Sequence, residues 1–180
     1  IKNGDACNTE KWSIPNHIGT HVDFPRHFVE NGLAGFDYSA EFWIFHSVSL
    51  VDISPVLPGM LIIPDKLNVD ILRKDTELLL IKTGFSSLRN TPTYWQENPA
   101  FSPDLASFLR KQCPELRVVG FDTISLSSWT NRDLGRKAHR RFLNHAFPLL
   151  LFDVAPHNLA FVFQLPSSVD VYPPTKRGLL

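Results

Sequence analysis

The sequence predicts a mixed α/β domain, and three observations carry that expectation. Apolar runs of strand length alternate with segments of helical spacing along the whole chain. A chain of 180 residues suits one domain, residues 1–180, and is long enough to bury a substantial core. No internal repeat, low-complexity stretch or linker divides it.

The elements follow in order. His46 to Ile53 is rich in Val and Ile, is closed by Ser54-Pro55, and reads as a strand. Pro64 or Asp65 opens a short helix through Leu67, Ile71 and Leu72, whose spacing is helical. Glu77 to Thr83 is a continuous apolar run, the pattern of a strand buried on both faces, and Gly84 closes it. Ser86 to Phe101, with Pro92, Tyr94, Trp95 and Pro99, reads as the longest loop. Ser102-Pro103-Asp104 is a helix start: Ser caps, Pro fits the first turn, and Asp suits the positive end of the dipole. That helix turns Leu105, Phe108 and Leu109 inward and ends near Pro114. Arg117 to Phe121 is a further buried strand. A short helix around Lys137 to Asn144 follows, then strands near Phe147 to Val154 and Leu159 to Leu165.

Composition excludes several classes of function. Eighteen basic residues balance eighteen acidic ones, so nothing suggests electrostatic capture of nucleic acid or of a membrane surface. The longest apolar runs, such as Phe147 to Phe152, are too short to span a bilayer. No secretory signal is visible, and the chain opens on Ile1 rather than Met, so its N-terminus reads as trimmed or processed. Cys7 and Cys113 lie far apart with no Cys-x-x-Cys spacing, which fits neither a zinc ribbon nor a disulfide framework. A reducing cytoplasm is the default setting, and Cys113 reads as a packing residue.

The chemistry concentrates in Asn16 to His27. Three of the seven histidines and one carboxylate fall within eleven residues there: His17, His21, Asp23 and His27. Two imidazoles and a carboxylate are a ligand set for a divalent transition metal, and three protein ligands leave a position open for catalysis. Gly19, Thr20, Val22 and Pro25 disfavour a helix here. In an extended segment His17, His21, Asp23 and His27 share one parity, with Ile18, Val22, Phe24 and Arg26 on the other side. The spacing alone is equally compatible with a polar, solvated strand edge.

The whole string, His-x-Gly-Thr-His-x-Asp-x-Pro-x-His, resembles the signature of the cyclase family of metal-dependent hydrolases, which includes bacterial kynurenine formamidases and isatin hydrolases. The likeness continues through Val48 to Ser54, Leu79 to Gly84, Val119 to Ser125 and Ala138-His139-Arg140, and so runs from about Trp12 to about Leu165. It implies a swivelling β/β/α fold with a mixed sheet. It also implies one or two divalent metals per chain, Zn2+ or Mn2+, and a homo-oligomer acting on a small molecule.

On this reading His17, His21 and Asp23 hold the metal. His27 carries the proton between water and the leaving nitrogen, a task suited to histidine because the unperturbed imidazole pKa lies near neutrality. In the kynurenine formamidases a histidine at the place of His139 and a later glutamate help hold a second metal. Here the usual register reaches Leu151, which cannot ligate. Asp153 becomes the counterpart only with a two-residue insertion near Asn144-His145. Trp12, five residues before His17, is placed to wall a pocket for a flat substrate. His46, His145 and His157 take no role, and Phe42 and Trp43 read as exposed aromatics at an interface.

The expected activity is hydrolysis of an amide-type C–N bond, in an aryl formamide or a cyclic amide, through a metal-activated water. The alternatives are a non-catalytic metal- or small-molecule-binding protein on the same fold, or a lactone or ester hydrolase or cyclase.

Overall fold

The computed structural model describes Lys11, Ser13, residues 20–144 and the backbone of residues 149–151 and 170–172. Its strands are β1 (His21–Asp23), β2 (Val48–Asp52), β3 (Leu61–Ile62), β4 (Leu78–Lys82), β5 (Ala100–Phe101), β6 (Val118–Phe121), β7 (Leu149–Leu151) and β8 (Asp170–Tyr172). The helices are α1 (Pro92–Gln96), α2 (Asp104–Gln112) and α3 (Arg132–Leu143). Among the described residues six strands form one sheet in the order β1-β7-β6-β4-β2-β8, and β3 pairs with β5 in a small second sheet. All neighbours in the large sheet are parallel except β1, which runs antiparallel to β7. The fold is therefore α/β with a mixed sheet, as the sequence and the resemblance lead one to expect.

Alternation along the central strands divides the core in two. Leu79 and Ile81 of β4, with Val119 and Phe121 of β6, face Leu105 and Leu109 of α2 and Phe142 of α3. Leu78 and Leu80, with Val118, face the other way, onto Phe42, Trp43 and Phe45. β4 is thus buried on both faces, which is why its sequence is unbroken Leu-Leu-Leu-Ile rather than alternating. Each such side chain contributes on the order of 1.5–3 kcal/mol of burial.

Four local expectations are corrected. Phe42 and Trp43 are half-buried, packed on each other and on the sheet rather than displayed at an exposed patch. The segment from Pro64 to Ile71 forms two 3-10 turns, Pro64–Lys66 and Val69–Ile71, instead of one helix. The stretch 86–101 is not a structureless loop, for it holds a 3-10 turn (Phe85–Leu88), α1 and β5. The last described helix begins at Arg132, five residues before Lys137, capped by Asn131, whose Oδ1 accepts the Leu134 N–H at 3.2 Å.

Ser102 does mark the start of α2: its Oγ accepts the Asp104 N–H at 3.2 Å. Leu105 and Leu109 are buried, while Phe108 is half-buried against the core. Cys113 is buried as a packing residue. Among the described residues no helix is long and apolar enough to cross a membrane.

The carboxyl ends of β4 and β6 are tied together just where the cavity begins. The Asp122 carboxylate accepts the Thr83 N–H and hydroxyl at 2.7 and 2.6 Å and the Gly84 N–H at 2.9 Å. Gly84 sits at φ 76°, a left-handed conformation, and a Cβ there would stand 2.9 Å from the Cβ of Ser54. This anchor fixes the start of the 123–128 segment, which forms one wall of the site.

Candidate active site

His21 and Asp23 lie two residues apart on β1, so the pleat sends both side chains to one side. Asp23 is 3% exposed, and its Oδ1 lies 3.5 Å from His21 Nε2. That separation is long for a hydrogen bond. It is close to the ~3.3 Å expected between two ligand atoms each about 2.0–2.1 Å from a tetrahedral metal. A buried carboxylate facing an imidazole nitrogen at this distance fits a divalent cation. Among the described residues no set of three or more His, Cys, Asp or Glu is arranged to hold a metal ion. The third expected ligand, His17, lies outside the described residues, as do Trp12 and Asp153.

The extended parity proposed for His17 to His27 ends at Phe24. Pro25–His27 is a 3-10 turn with Pro25 at its first position, so His27 does not continue the face of His21 and Asp23. The turn brings it to the same cavity by another route. His27 is exposed and sits edge-on to Phe28, with ring centroids 4.7 Å apart.

His139 is buried at 4% exposure, not displayed on a basic helix surface. It belongs to the inward stripe of α3 made by Gly135, Ala138, His139, Phe142 and Leu143, an i, i+3, i+4, i+7, i+8 pattern. Its Nδ1 lies 2.9 Å from the Gly135 carbonyl and 3.2 Å from Ser127 Oγ. A carbonyl can only accept, so Nδ1 carries the proton and the lone pair belongs to Nε2. Phe28 stacks on the ring at 4.5 Å and 19°, and the His27 ring is 6.4 Å away.

His21, Asp23, His27 and His139 all line one cavity of about 790 Å3. Its far wall is the segment after β6, including Thr123, Ser125 and Ser127, where ligands of α/β sheets usually gather. Asn98, 2% exposed, fastens that wall by donating to the carbonyls of Ser127 at 2.6 Å and Ser125 at 3.4 Å. The mouth carries residues that sequence reasoning missed: Trp95, Trp129, Arg89, Arg132 and Arg136. The spacing 132, 136, 139 was available as a helical signal once α3 is begun at its true start. Trp95 and Trp129 carried none, because their meaning rests on contacts across the fold.

Asp122 is a structural anchor, as described above, while Ser125 lines the cavity. His46 is exposed and outside it.

The chain is similar to several known proteins. The kynurenine formamidase of Geobacillus thermodenitrificans is 28% identical over 157 residues, covering 84% of this chain and 69% of that protein. An uncharacterized protein of Haemophilus influenzae is 28% identical over 109 residues, covering 59% of this chain and 77% of its own length. Among solved structures, isatin hydrolase A from Labrenzia aggregata superimposes with a TM-score of 0.66 at 20% identity, over 82% of this chain and 64% of that one. A structure described as a potential metal-dependent hydrolase with cyclase activity gives 0.62 at 21% identity, over 77% and 63%. The chain thus spans a little under two thirds of these solved chains. The sequence model described as "Putative cyclase" matches residues 3–128, well over half of the chain. The chain belongs to the cyclase family.

Proposed function

We propose that this chain is a metal-dependent hydrolase that opens an amide-type C–N bond, with an aryl formamide or a cyclic amide as the model substrate. The observation that carries the reading is the convergence of His21, Asp23, His27 and His139 on one cavity. The family and the names of its relatives point the same way.

His21 and Asp23, with His17 from the same motif, would hold the metal, and zinc and manganese both suit that donor set. When bound, such a metal acidifies a water and polarises a carbonyl. The chain's own residues supply the rest. Asp23, 3% exposed, would bring the negative charge that balances the cation. His27, exposed at the cavity edge, takes a proton from the attacking water and returns it to the departing nitrogen. His139 lines the same cavity, where Nε2, bearing the lone pair, would serve as a ligand to a second metal or accept a hydrogen bond from a substrate N–H. Trp95 and Trp129 offer flat apolar faces to an aromatic substrate.

The test pairs metal content with turnover. Elemental analysis of the purified protein should find one or two equivalents of a divalent metal, with Asp23→Ala losing at least one. His27→Ala should retain metal near the wild-type level while hydrolysis of aryl formamides falls by about 10²–10⁴-fold. Loss of metal in His27→Ala would make that residue a ligand. Absence of metal after reconstitution with zinc or manganese, together with no turnover, would remove the hydrolase reading.

A further inference from the structure

The chain is electrically balanced, yet the described lining of the cavity is not. Among the described residues it includes three guanidinium groups, Arg89, Arg132 and Arg136, against one carboxylate, Asp23. Arg132, Arg136 and His139 recur at i, i+4 and i+7 on α3, so they form one stripe running from the helix start at the mouth to the buried histidine. At 1.5 Å per residue the two arginines stand about 4.5 and 10.5 Å along the axis from His139.

The Arg132 guanidinium lies 4.7 Å from the centre of the Trp129 ring. Such stacking uses the face of the guanidinium, whereas all its N–H donors lie in its plane. The ring therefore steadies the arginine and leaves its donor edge as the recognition surface. Trp129 itself is 63% exposed and Trp95 is 51% exposed. Two large rings this exposed, beside three cations at one cavity mouth, make a surface for a flat molecule bearing negative charge. Arg136 also pairs with Asp133, which is exposed and lies outside the cavity lining.

We propose that the mouth of the cavity is an anion subsite in which Arg132 and Arg136, with Arg89 of the same lining, receive a carboxylate of an aromatic substrate. What the carboxylate is attached to rests on the hydrolase reading; the subsite itself does not.

Calorimetric titration of the purified protein with 3-phenylpropanoate and with the neutral 3-phenylpropanamide tests the subsite without any turnover. The acid should bind about tenfold or more tighter than the amide at low salt. The Arg132→Gln/Arg136→Gln double variant should bring the two within about twofold while leaving amide binding in place, which also shows that the variant is folded. Arg140→Gln removes one charge from the exposed side of the same helix and should keep the preference.

Equal binding of acid and amide by the wild type, or binding of neither, overturns the proposal. So does a preference that survives in the double variant, which would assign the anion to the His21–Asp23 end. Loss of the preference in Arg140→Gln overturns it as well, since the effect would then be one of overall charge. Failure of the formamide panel with the acid preference intact would sink only the hydrolase reading.

Discussion

Gly135 sets how closely α3 approaches the segment that follows β6. A Cβ at this position would stand 2.0 Å from Ser127 Oγ and 2.3 Å from Ser127 Cβ. Without that close approach, His139 would not have Gly135 O and Ser127 Oγ together at its Nδ1. Gly135→Ala should therefore destabilise the protein by about 1–3 kcal/mol, the usual range for overpacking. Adding Ser127→Gly should recover part of the loss, although the Ser127 Cα at 2.8 Å stays tight. Urea denaturation of both variants checks this; a Gly135→Ala protein as stable as wild type would mean that the two elements can part freely.

At this scale the sequence was informative where chemistry is local. His21 and Asp23 are legible as a pair because a strand's parity needs only two residues. His27 was legible as a member but for the wrong geometry, since Pro25 starts a turn. Trp129 was silent, because a ring gains meaning only from what it faces, and the signal of Arg132 and Arg136 depended on placing the start of α3 correctly.

Lys82 and Asp52 cross-link β2 and β4 at their carboxyl ends, Nζ to Oδ2 at 2.7 Å. Burial pushes the Asp52 carboxyl up, but hydrogen bonds from Lys82 and from the Ser54 hydroxyl and N–H outweigh it and hold the group below its ordinary value. A carboxyl lowered on folding stabilises the protein at every pH above its unfolded value of about 3.9. That contribution disappears as pH falls through the lower folded value. Asp52→Asn should thus lose about 1–2 kcal/mol at neutral pH and show a shallower fall in stability below about pH 4. Denaturation midpoints across that range, wild type against variant, give the answer; parallel acid limbs would show that Asp52 is not a source of acid sensitivity.

Elements with unbroken apolar runs, β4 and β6, were readable to within a residue. The start of α3 was not, because its cap is a single Asn followed by charged residues with little apolar spacing until Gly135. The 86–101 segment hid α1 because a five-residue helix opening on Pro92 leaves too short a window for any period to appear.

Arg117 organises the molecule across its whole breadth. It donates to the carbonyls of Phe42 at 2.6 Å and Ile44 at 2.7 Å, pairs with Glu77 at 3.2 Å, and lies over the rings of Phe42 and Phe45. Glu77 in turn accepts the His46 N–H at 2.6 Å. One side chain beside β6 thereby closes the 42–46 segment over the second face of the sheet. Arg117→Ala should cost about 3 kcal/mol and expose that segment to proteolysis, and Arg117→Lys should recover little, since a lysine cannot reach two carbonyls with a rigid fork. Limited digestion with fragment mapping reports the change; an unaltered cleavage pattern would show that the aromatic packing alone suffices.

The architecture as a whole was legible from alternation and length, while the pairing of β1 was not, since no local pattern says which distant strand will lie beside it. β1 meets β7 with His21 opposite Leu151, partners about 130 residues apart in the chain. On a ribosome the segment bearing His21 and Asp23 emerges before its neighbour and waits while about 130 further residues are made. Until then the two donors have the right spelling and no common frame. On the proposed reading, the ability to take up a metal would thus be a late property of the chain, acquired when the sheet is finished at that edge, and an interrupted copy would carry the motif without the grip.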